Sequence, residues 1–121
     1  MKVISETRLA IRVARGQKSQ QAALDAWLAE RPLDVAAPGL AVIAEGAFFE
    51  LAVPPHVALE RLAGGCVCCI GLLPMQVTLT RLLRARHPAS ILLLIAGASH
   101  LERVHALVAS GKLGVSLEQR R

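Results

Sequence analysis

The stretch Gly64-Gly65-Cys66-Val67-Cys68-Cys69 gathers all three cysteines of the chain into four consecutive positions. A deprotonated cysteine is a soft ligand, so Cys66, Cys68 and Cys69 together offer three thiolates to zinc or a similarly soft ion, and Gly64-Gly65 frees the backbone to turn tightly around it. A disulfide suits this spacing less well. Adjacent Cα atoms across a trans peptide lie about 3.8 Å apart, short of the roughly 4.4–6.8 Å that a disulfide spans, so a Cys68–Cys69 bond would be strained. Free thiols also agree with a reducing compartment. A lone cysteine would read as a small buried apolar residue; C-x-C-C after Gly-Gly reads as a metal or redox site.

Three thiolates leave a tetrahedral zinc one ligand short. His56, His87, His100 and His105 are candidates for the fourth position, as are water and a partner protein. Taken singly, each histidine reads as an ordinary loop or helix residue. An open coordination position suits a carrier better than a structural site, because it allows exchange with a recipient.

The elements that must position this motif alternate between strand and helix. Arg8 to Ala14 places Leu9, Ile11 and Val13 on one face and reads as a strand. Arg15-Gly16-Gln17-Lys18-Ser19 reads as a polar loop, and from Gln20 to Glu30 the residues Ala23, Leu24, Trp27 and Leu28 recur at helical spacing until Pro32. Trp27 is then a core contact. Ala37-Pro38-Gly39 turns the chain into a buried strand over Leu40 to Ala44, with Glu45 and Glu50 beyond it, which by position alone read as solvated carboxylates.

Between Ala47 and Leu62 the pattern supports either a short helix after Pro54-Pro55 or a strand through Val57 and Leu59 leading into the cysteines. After the cysteines, Leu72 to Arg86 is an amphipathic helix, with Leu72, Met75, Leu79, Leu82 and Leu83 inward, Arg81 and Arg84 outward, and Pro74 tolerated in the first turn. His87-Pro88 ends it. Ser90 to Ala96 is an unbroken apolar run, as a parallel strand covered on both faces requires. Ser99 and Glu102 have capping-box spacing for a last helix with an inner stripe of Leu101, Val104, His105 and Val108, closed by Gly111 and Lys112. The alternation predicts one α/β domain over residues 1–121, a small parallel sheet flanked by helices.

Composition bounds the remaining classes. With 54% hydrophobic residues in 121, the chain can bury one substantial core, and an aromatic content of 2% means that the core is built from Leu, Val, Ile and Ala. The net charge of +5 comes from dispersed arginines. Without an aromatic platform or a known motif, nucleic-acid binding is not expected. Leu62 to Thr80 carries no charge, yet its glycines, Pro74, Gln76, Thr78 and Thr80 argue against a membrane span. Met1-Lys2-Val3-Ile4 runs at once into Ser5, Glu6 and Arg8, so no secretory leader is expected and the cytoplasm is the expected location.

Gly65-Cys66-Val67-Cys68-Cys69, with an apolar segment before it and a long helix and strong strand after it, resembles the G-C-x-C-C motif of the CobW family of metal-chaperone GTPases. The resemblance extends over most of this chain and over the first portion of a family member. It implies a partial P-loop NTPase-like domain in which Cys66, Cys68 and Cys69 bind zinc or cobalt, and a metalloprotein recipient as partner. Arg12-Val13-Ala14-Arg15-Gly16-Gln17-Lys18-Ser19 occupies the place of the family's P-loop, so that Lys18 and Ser19 correspond to the phosphate-binding lysine and the magnesium-binding hydroxyl. Leu40 to Glu50 resembles the family's second strand and the acidic segment after it, which makes Glu45 and Glu50 candidate remnants of switch or metal-associated carboxylates, beside their reading as solvated carboxylates. Arg12 and Gln17 stand where the pattern has glycine, and Ala96-Gly97-Ala98 keeps a glycine but not the carboxylate of the strand-end segment. No N-K-x-D tetrapeptide is present. These departures imply a truncated, degenerate member that has lost GTP hydrolysis and keeps at most residual phosphate binding at Lys18 and Ser19; the alternatives are a weak GTP-binding GTPase that uses Lys18 and Ser19, and a pseudo-GTPase interaction module whose sheet edge pairs with another subunit, a second copy included.

Overall fold

The computed structural model describes residues 7–30, 39–46, 50–62, 73–86, 88–97, 101–111 and 115–117. Among them lie strands β1 (Thr7–Val13), β2 (Leu40–Glu45), β3 (Val57–Leu62), β4 (Ser90–Ile95) and β5 (Val115–Leu117). The helices are α1 (Gly16–Ala29), α2 (Leu73–Arg86) and α3 (Leu101–Ala109). The strands form one sheet in the order β3-β2-β4-β1-β5, and every pairing is parallel.

β4 sits in the middle because its run S-I-L-L-L-I has no polar face to show to water. Ile91, Leu93 and Ile95 point to one side with Leu9, Ala41 and Ile43, where α2 supplies Met75, Leu79 and Leu82 and α3 supplies Val104 and Val108. Leu92 and Leu94 point to the other side with Ala10, Val42 and Ala44, where α1 supplies Leu24 and Trp27. The period of two along each strand thus feeds two cores, and burying each such Leu or Ile stabilises the fold by roughly 1.5–3 kcal/mol. Trp27 is 1% exposed, as its spacing within α1 predicts.

Two local expectations change and one open alternative is decided. The helix begins at Gly16, not Gln20, so Gly16-Gln17-Lys18-Ser19 is the polar first turn of α1 rather than a loop. Gly16 enters with φ +86°, a conformation natural to glycine. The undecided segment before the cysteines is a strand, fixed by its register with β2 from Leu40↔Val57 to Glu45↔Leu62. His105 is exposed; the buried stripe of α3 is Val104 and Val108, with Leu101 and Leu107 packed beside it. Gly111 does close α3, at φ +81° with its N–H bonded to the carbonyl of Val108 at 3.1 Å. Ser99 and Lys112 lie outside the described residues.

Candidate functional site

The direction of the crossovers defines where this sheet can receive a ligand. From β1 the chain crosses by α1 on one face to β2, beyond β4 on one side; from β4 it crosses by α3 on the opposite face to β5, beyond β1 on the other. β1 and β4 are neighbours whose connections diverge, and in a parallel sheet the crevice at the carboxyl ends of such a pair is the natural binding position. The described residues around it are Ala14 to Ser19 after β1, Ala96-Gly97 after β4, and Glu45 at the end of β2.

These groups are tied together. Gln20, fully buried, donates from Nε2 to the carbonyl of Ala14 at 3.0 Å and to that of Glu45 at 2.8 Å. The Glu45 carboxylate, 5% exposed, accepts from the Ala96 N–H at 2.8 Å. Arg15 donates from Nε to the Ala96 carbonyl at 3.2 Å, and so spans the crevice from the β1 side to the β4 side. Glu45 is therefore not the solvated strand-end carboxylate that its sequence position suggests: its main chain lies in a paired strand and its side chain is drawn inward by the free N–H at the end of β4. Glu50 is exposed as expected. Gln20 does not stand out as a site residue in the sequence, although Gln20, Leu24 and Trp27 share the spacing that faces the sheet.

Lys18 and Ser19 lie in the first turn of α1, both exposed, at the carboxyl end of β1. That turn contains no acidic residue, and Arg15 at the helix start makes no side-chain capping bond. A helix start of this kind carries partial positive charge. The segment aligned with the glycine-rich loop is divided differently from a phosphate cradle, however. Arg12 and Val13 are strand residues, Gly16 and Gln17 are already helical, and only Ala14 and Arg15 connect the two. The Gln17 side chain is engaged elsewhere, donating to the carbonyl of Glu50 at 3.0 Å.

Cys66, Cys68 and Cys69 lie outside the described residues, as do His87 and His100. The elements on either side of the cysteines are described. Leu62 ends β3 at the same rim of the sheet as the carboxyl ends of β1, β2 and β4, with its carbonyl accepting from the Gly46 N–H at 3.3 Å. On the far side of the motif α2 begins at Leu73, and an ion pair of 3.0 Å between Arg81 and Glu60 holds α2 to β3. His56 precedes β3 and so lies at the opposite rim, about 20 Å from Leu62 at the usual rise per strand residue. His105 is exposed on α3. Among the described residues no group of three or more His, Cys, Asp or Glu side chains could hold a metal, and no helix is long and apolar enough to cross a membrane.

Over 46 residues the chain is 41% identical to the zinc chaperone YeiR of Escherichia coli (strain K12). The matched span is 38% of this chain and 14% of that protein's length. The likeness is partial and distant. It supports a remote relationship to CobW-like metal chaperones, in line with the resemblance of the cysteine motif. No family model matches the chain, and no solved structure does.

Proposed function

We propose that this chain is a zinc-binding, metallochaperone-like protein in which the thiolates of Cys66, Cys68 and Cys69 hold the ion as cargo. The observation that carries this reading is the concentration of every cysteine of the chain between β3 and α2, in a protein partly similar to a zinc chaperone. Each thiol gives up its proton on binding, and three protein ligands leave one position open for a ligand from a recipient metalloprotein. Cobalt is the second candidate ion. The cytoplasm, where thiols stay reduced, is the compartment that suits this chemistry.

GTP hydrolysis is not part of the proposal. Lys18 and Ser19 supply an exposed ammonium and hydroxyl at a helix start, which supports at most weak anion binding, and Ala96-Gly97-Ala98 stands in sequence where the family has a carboxylate that assists magnesium.

The test is the zinc content and affinity of the reduced protein beside a C66S/C68S/C69S variant. The expected result is about one zinc per chain, lost in the variant while its circular dichroism spectrum is retained. Equal zinc binding in the two proteins would overturn the reading.

A further inference from the structure

The CobW resemblance implies a guanine nucleotide with magnesium at the carboxyl ends of β1 and β4, and the residues there do not fit one. A phosphate cradle is a loop of free main-chain N–H groups between strand and helix. Here Arg12 and Val13 are held in β1 by register with Leu94 and Ile95, and the Ala14 N–H donates to the Ile95 carbonyl at 2.8 Å. Only Arg15 remains between the bonds of the sheet and the start of α1. Across the crevice the Ala96 N–H is also taken, by the Glu45 carboxylate at 2.8 Å. That carboxylate is 5% exposed and stands where the family's ligand would bring further negative charge, and like charges placed side by side repel. Gln20, fully buried, spends both donors of its amide on the carbonyls of Ala14 and Glu45. Its Oε1 is a buried acceptor with no donor on it, and a phosphate oxygen, itself an acceptor, cannot supply one. Arg15 spans the opening by donating from Nε to the Ala96 carbonyl at 3.2 Å.

We infer that Arg15, Gln20 and Glu45 lock this crevice shut from within, and that zinc exchange by this protein proceeds without nucleotide control. The lock stands on these contacts; its consequence for zinc rests in addition on the metallochaperone reading. The ends of β1, β2 and β4 are fixed to one another by side chains, so no ligand is needed to bring them together. The lock also reaches β3. Gly46, next after Glu45, donates to the carbonyl of Leu62 at 3.3 Å, the last described residue before the cysteine segment. The rim from which the chain departs toward the cysteines is thus already set.

The test titrates GTP with magnesium, and separately inorganic phosphate, into the full chain to about 2 mM while backbone amides are followed. Shifts of residues 14–20, 45 and 96 are expected to be at most linear in GTP and matched by phosphate. Zinc affinity should change by less than about threefold when GTP is added. Saturable GTP binding with a Kd below about 1 mM, or a larger effect of GTP on zinc affinity, would overturn the inference. Hydrogen exchange reads the lock itself. The Ala96 amide should exchange at least about tenfold faster in Glu45→Ala than in the parent, with the amides of Leu92 and Leu93 slow in both as the check that β4 is intact. Equal exchange at Ala96 with β4 intact would also overturn it, and if the variant does not keep β4 the GTP titration of the parent decides. A parent that binds no zinc removes the carrier reading alone, because the GTP titration and the Ala96 exchange do not depend on metal.

Discussion

Gln20 and Glu45 are joined by a hydrogen bond of 2.8 Å from the side-chain amide of one to the main-chain oxygen of the other, 25 positions away in sequence. With its second bond to Ala14, this amide holds the end of β2 against the exit from β1 while β4 runs between them. The Glu45 side chain completes the link by accepting from Ala96.

Replacing Gln20 by leucine keeps the volume and removes both donors. Two carbonyls in the interior then each lose a partner, at a cost of about 1–3 kcal/mol apiece when nothing replaces it. The expected fall in Tm for Gln20→Leu is about 8–24 °C, and Gln20→Glu should fall further, since a buried carboxylate cannot donate to either carbonyl. Thermal melts of the two variants decide this. A Gln20→Leu protein that melts with the parent would show that the amide is dispensable.

The Glu45 carboxylate has a narrower task. Glu45→Gln retains an oxygen that can accept from Ala96, whereas Glu45→Ala leaves that N–H without its partner and opens a small void. The alanine variant should lose about 1–3 kcal/mol in denaturant unfolding and the glutamine variant less than half as much. Equal losses would place the role of Glu45 in its charge rather than in this bond.

Much of this framework can be read from the residues in order. S-I-L-L-L-I could only be an interior strand, and the Leu24, Trp27 and Met75, Leu79, Leu82 spacings declare their inward faces. What escapes a linear reading depends on partners far along the chain. The first turn of α1 looks like a loop because none of its four residues carries an apolar side chain, and β3 is decided only by its pairing with β2. β5 is three residues long, too short to carry a pattern of its own. Gln20 and Glu45 look like surface residues until the sheet brings their ends together. The cysteines are the reverse case: their clustering is plain in the sequence, and the described structure contributes the strand and helix on either side of them.

Gly16 offers a clean test of backbone geometry. A Cβ built there meets nothing within 4 Å, so Gly16→Ala brings no clash. Its φ of +86° remains costly for an L side chain, by about 1–2 kcal/mol. The expected outcome is a loss of that size in urea unfolding. A neutral or stabilising substitution would mean that α1 can start equally well from an ordinary backbone conformation.

The ion pair between Arg81 and Glu60 should matter little to stability despite its short distance. The Arg81 side chain is 60% exposed and that of Glu60 34%, so water and salt weaken the attraction. A double-mutant cycle with Arg81→Ala and Glu60→Ala is expected to give a coupling below about 1 kcal/mol, shrinking at high salt. A larger, salt-resistant coupling would instead make the pair the main tether of α2 to β3.

The proposed zinc binding through three thiolates carries a proton dependence of its own. Every cysteine that enters the metal's shell must shed a proton if it was a thiol, so acid competes with zinc for the same sulfur lone pairs. Below the thiol range, affinity should fall by up to about a thousandfold per pH unit if all three cysteines bind, and by about tenfold if only one does. Zinc affinities measured from pH 6 to 7.5 with a competing chelator give that slope directly. A slope near three supports Cys66, Cys68 and Cys69 acting together, whereas a slope near one, unchanged in C68S/C69S, would leave Cys66 as the sole thiolate ligand and remove the cluster from the proposed mechanism.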